Sequence, residues 1–215
     1  MNTATIGIVI IVISALGYAS NWINWRFLNY KINYLLYYMG AFVHESSHAV
    51  MCILTRAKIS QYKVFVSQPH VTYSNSKLPI LGNLLISIAP IIGGLSFLFL
   101  VNNYFLSNQF TMPVFSEWKY FWSDFLILIR QIDMSNWKDW VALFLFLNMG
   151  AMIGPSWQDL KNVWILIILL VFIPWPFFTH LGFLAIAFIL IGLFVQIVLT
   201  LLISFVVYIT KFVSN

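Results

Sequence analysis

The sequence predicts an all-α polytopic membrane protein, with about six transmembrane helices and a short β-hairpin after the second. Three observations predict it. Of 215 residues, 61% are hydrophobic and only 8% charged, where a soluble domain carries about a quarter charged residues to keep its surface wet. Apolar runs of roughly the length needed to cross a bilayer, about 20 residues, recur along the chain. Basic residues gather near the ends of those runs, which is the pattern of membrane anchoring. They do not form the basic stripe of a nucleic-acid binder, so the expected partner surface is a lipid bilayer and not a nucleic acid.

The expected spans are 5–20, 34–55, 80–101, 140–154, 163–178 and 181–209. The first has no basic segment before it and reads as a retained span, not a cleaved signal. In the third, SIAPIIGG at 87–94 offers small residues that let helices approach closely. The fourth and fifth are short, the sixth long. Between the second and third, Tyr62, Val64 and Val66 alternate, Gln68 and Pro69 suit a turn, and Val71 and Tyr73 alternate again. That pattern predicts a hairpin within 58–77. The Trp-rich stretch 102–139, with Glu117, Lys119, Asp124, Arg130 and Asp133, is expected to lie along the membrane interface. The whole of 1–215 reads as one membrane domain, with a core at 34–162 and two further spans in 163–215. Loop charges are nearly balanced between the two orientations, and the cluster Arg56, Lys58 and Lys63 after the second span favours a cytoplasmic N-terminus. The expected location is the cell membrane of a prokaryote.

One stretch of the second span does not belong in hydrocarbon: FVHESSHAV, 42–50. Each ionisable residue at such depth costs about 2.5–3.5 kcal/mol, so it is functional by default. On a helix, residues four apart share a face, which puts His44 and His48 side by side. Two imidazoles so placed suit Zn²⁺, which takes tetrahedral N, O or S ligands. Glu45, beside the first histidine, is placed to act as general base on a water activated by the ion.

A catalytic zinc takes a third protein ligand, and the candidates are Asp159, His180, His70, Cys52 and the loop acids. Cys52 follows His48 by one turn, but a cysteine there is more often a small buried hydrophobe. His70 falls in the expected hairpin and His180 in the break FFTHLG. Asp159 ends a run interrupted by Gly150, Gly154 and Pro155. Irregular backbone at membrane depth is tolerated only against protein or a water-filled cavity, so a carboxylate there has somewhere polar to point.

These residues resemble the site-2 proteases, the M50 class of intramembrane zinc metalloproteases, over roughly 35–162. The family pairs H-E-x-x-H in an early span with an N-x-x-P-x-x-x-L-D-G motif in a later one. The resemblance implies zinc held by His44, His48 and Asp159, with Glu45 catalytic and Asn148 a possible substrate or oxyanion contact. Asn148 and Pro155 stand seven apart where the family has three, Asp159 follows Pro155 by four, and Leu160 replaces the glycine. The implied activity is hydrolysis of peptide bonds in membrane-spanning protein substrates. The hairpin is expected either to pair with an extended substrate by strand addition or to serve as a connector. Two other classes compete: an inactive relative that binds membrane partners, and a metal-ion transporter, which would want more acids and histidines along a pathway.

Overall fold

The computed structural model describes residues 4–27, 30–66, 69–78, 80–106, 110, 118–152, 154, 156, 158–159, 161 and 176–213. Among the described residues, six α-helices and one small sheet follow in chain order: α1 (Ala4–Phe27), α2 (Tyr30–Leu54), β1 (Ile59–Lys63), β2 (His70–Tyr73), α3 (Leu81–Leu100), α4 (Phe121–Arg130), α5 (Trp137–Met152) and α6 (Pro176–Val213). A π-helical turn, Val101–Phe105, extends α3. Helix α2 packs on α3 and α5, while α6 lies against α1 and α5. The core between them is aromatic and aliphatic, with Phe110, Phe146, Phe183 and Phe188 almost wholly enclosed.

The end of α2 sets up the site. Arg56 takes the left-handed conformation, φ 57°, and the Ala57 N–H reaches back to the Cys52 carbonyl at 2.8 Å. This is a Schellman closure with arginine where glycine is usual. It turns the chain back over α2, and the hairpin follows. Strands β1 and β2 are antiparallel, pairing Tyr62 with Val71 and Lys63 with His70. The strand begins and ends earlier than the alternation at 62–66 suggests, because Val64 leaves the ladder to become buried. Gln68 lies outside the described residues.

The expectation of about six transmembrane helices is overturned. Among the described residues one helix, Leu81–Phe105, is long and apolar enough to cross a membrane; Ile11–Ser20 and Phe183–Phe194 are apolar but shorter. The physical reason is where the apolar side chains go. Phe183, Leu184, Ala185, Ile186, Ala187, Phe188 and Ile189 are all at most 1% exposed, so this part of α6 meets protein on every side, as a helix apolar all round does. Helix α5 has 16 residues, about 24 Å at 1.5 Å per residue, against a hydrocarbon thickness of about 30 Å. Of the fifth expected run, 163–175 lies outside the described residues. The stretch 102–139 is also less superficial than expected. Asp139 is fully buried, accepting the Asp133 N–H at 2.6 Å, and Phe121 and Leu128 turn α4 onto the core. Glu117 lies outside the described residues.

Glycines let the helices that carry the site meet backbone to backbone. A Cβ on Gly40 would fall on the Asn148 carbonyl oxygen of α5, and one on Gly150 on the Phe188 carbonyl of α6. Gly40→Ala is therefore expected to cost about 1–3 kcal/mol, the usual range for overpacking. It should also weaken metal binding, because His44 lies one turn further along α2. Thermal unfolding with a zinc titration reads both; unchanged values for the variant would show that the α2–α5 approach is not this close.

Candidate metal centre

His44 and His48 project from one face of α2 with ring centroids 4.9 Å apart. Their Nε2 atoms stand 3.2 Å from one another. Asp159 comes in from beyond α5, with Oδ1 3.5 Å from the His48 Nε2 and Oδ2 3.9 Å from the His44 Nε2. All three residues are buried, and their candidate ligand atoms lie within 4.8 Å of one another. Tetrahedral zinc with bonds of about 2.0–2.1 Å separates its ligand atoms by roughly 3.3–3.4 Å. The His44–His48 and His48–Oδ1 separations, 3.2 and 3.5 Å, bracket that value.

The far sides of the rings decide what the near sides are. The His44 Nδ1–H donates to the Met152 carbonyl at 2.6 Å, and the His48 Nδ1–H to the Ile86 carbonyl at 2.8 Å. A carbonyl can only accept, so in each neutral ring the proton sits on Nδ1 and Nε2 carries a lone pair. Two buried lone pairs then face each other across 3.2 Å beside a carboxylate, an arrangement that a cation satisfies. A second hydrogen bond on each histidine, fixing tautomer and ring orientation, is the usual support of a metal ligand. The residues present fit the ion.

Asp159 is held as firmly. Its Oδ2 accepts both the Ser156 N–H at 2.9 Å and the Ser156 Oγ–H at 2.6 Å. This local turn, built by a serine three residues ahead, leaves Oδ1 to face the histidines. Pro155 and Leu160 lie outside the described residues.

The hairpin forms the opposite wall. The Ser46 hydroxyl and Tyr62 phenol hydrogen-bond at 2.8 Å, and Phe65 stacks on Tyr38 and Phe42 of α2 at 5.1 and 6.0 Å. The backbone of Val71 lies close to the Glu45 carboxylate. A cavity of about 510 Å³ lies between α2, β2 and the residues Ser156 and Asp159, lined by His44, Glu45, His48 and Tyr73 among others. Glu45 thus borders the same space as the three candidate ligands without belonging to their cluster. Burial first, and the nearby Asp159 carboxylate second, push the Tyr73 phenol up to about 12. It remains a donor at any ordinary pH.

The other candidates are placed elsewhere. Cys52 is fully buried against Ala57 and Ile86, in a small apolar cluster. His70 lines the cavity, with Nε2 3.4 Å from Gln61 Oε1, but is not grouped with the ligands. His180 falls in α6, and its side chain lies outside the described residues. Asn148 is not in the cavity. It is fully enclosed, its Oδ1 accepting the Met39 N–H at 3.1 Å and its Nδ2 donating to the Phe144 carbonyl at 3.0 Å. Its Oδ1 joins α2 to α5, while its Nδ2 bond stays within α5. The second-sphere carbonyls of Ile86 and Met152 were missed in the sequence, although Pro90 and the helix-ending Gly154 both signal carbonyls released from a helix.

Comparison with protein-family models, with curated proteins and with solved structures finds no match for this chain.

Proposed function

We propose that the chain is a zinc metalloendopeptidase acting within the membrane on peptide bonds of membrane-spanning protein substrates. The observation that carries this reading is the pair of Nε2 atoms facing one another at 3.2 Å beside Asp159, with Glu45 on the same cavity. His44, His48 and Asp159 would hold the ion, which would supply Lewis acidity to a water and to the scissile carbonyl. Glu45 would take the proton from the attacking water as the water's oxygen adds to the carbonyl carbon, and would pass it to the departing amine nitrogen as the C–N bond breaks.

The membrane setting is supported by Leu81–Phe105. Ile86, which holds His48, lies five residues into that helix, about 8 Å along its axis at 1.5 Å per residue. On this reading the chemistry would lie near one end of that helix. The described residues contain a single group of three potential metal ligands, which favours a fixed catalytic centre over a transport pathway. A glutamate beside the histidine pair favours an enzyme over an inactive binder.

Purified protein is expected to cleave a single-span model substrate, to stop in the presence of a zinc chelator, and to recover on adding zinc. Cleavage that survives complete metal removal would refute the reading.

A further inference from the structure

Proline at position 90 lies inside α3, where a helix interior normally excludes it. Its missing N–H is the one that would have bonded the carbonyl four residues earlier, and that carbonyl belongs to Ile86. The Ile86 oxygen is the acceptor for the His48 Nδ1–H, at 2.8 Å, in a fully buried setting. The Met152 carbonyl, which accepts from His44 at 2.6 Å, is freed in a different way: α5 ends at that residue, and the last carbonyls of a helix have no partner within it. Both histidines are therefore held by carbonyls taken off a helix ladder.

We propose that Pro90 is a positioning residue for the metal centre. It keeps the Ile86 carbonyl clear of helical hydrogen bonding, so that this oxygen selects the Nδ1–H form of His48 and turns Nε2 to the metal. The proposal rests on the metal-centre reading above and adds to it a cause, two residues removed, for the ligand's orientation. Pro90 touches neither metal nor substrate; its effect passes through Ile86 and His48. A residue retained only to shape α3 would leave zinc affinity and the His48 tautomer alone.

Two readings test this, neither needing proteolysis. In the metal-free, detergent-solubilised wild-type protein, ¹⁵N resonances of the His48 ring are expected to report a proton on Nδ1; a proton on Nε2 overturns the proposal. Zinc affinity is then compared by competition with a chromophoric chelator. Pro90→Ala restores an N–H that competes for the Ile86 oxygen. Pro90→Gly restores it while leaving α3 free to keep its present course. Each variant is expected to bind zinc about 10- to 100-fold more weakly than wild type, the range seen when an outer-shell partner is lost, with its helical signal unchanged. A folded variant of either kind that binds zinc as tightly as wild type overturns the proposal while leaving the metal centre standing. Wild-type protein that binds no zinc would instead remove the reading on which both depend.

Discussion

Asp159→Ala is expected to weaken zinc binding by at least about 100-fold and to abolish cleavage. The lower bound is the most that loss of an outer-shell partner usually costs, and a direct ligand should exceed it. Two neutral imidazoles alone leave the ion's double charge uncompensated in a buried setting of low dielectric, and Asp159 is the carboxylate that stands 3.5 Å from the His48 Nε2. Removing it also strands the Ser156 hydroxyl and N–H that now donate to it, so the local turn should loosen. His70→Ala and His180→Ala are expected to keep their metal. Metal content after dialysis and competitive titration decide among the three. Asp159→Ala holding its zinc while His180→Ala loses it would move the third ligand to α6.

Glu45→Gln should do the reverse: zinc retained at near wild-type affinity, cleavage reduced about 10²- to 10⁴-fold, the range that general acid–base groups supply. The amide preserves the shape of the side chain, but it cannot take a proton. The carboxylate borders the cavity without joining the ligand cluster, so the metal should not notice its loss. A variant that cleaves at the wild-type rate would remove Glu45 from the mechanism. One that loses zinc along with activity would place Glu45 in the coordination sphere.

How much of this was legible beforehand varies with the physics of each feature. The histidine pair was, because a helix maps a four-residue spacing onto one face whatever surrounds it. The hairpin was too, since alternation and a turn dipeptide are local signals. Asp159 was reached through the broken backbone before it, although the serine that holds it was not noticed. The number of membrane-crossing helices was misread because hydropathy counts apolar residues without saying what they face. Phe183–Phe194 is as greasy as a span, yet its first seven residues are consumed by contacts within the protein. The Asn148 expectation rests on a family motif whose spacing the chain does not keep, and the α2–α5 contact made by its Oδ1 is a tertiary feature that no local pattern announces. Pro90 and its released carbonyl required knowing which helix lies against His48, a tertiary fact that no local pattern encodes.

The central claim is that His44, His48 and Asp159 together hold one zinc ion. X-ray absorption at the zinc edge on the purified, reconstituted wild-type protein tests it most directly. The expected spectrum corresponds to one zinc per chain, with nitrogen and oxygen neighbours at about 2.0–2.2 Å, including two imidazoles, and no sulfur. A sulfur neighbour at about 2.3 Å would bring Cys52 into the site, and protein that retains no zinc after reconstitution would contradict the account outright.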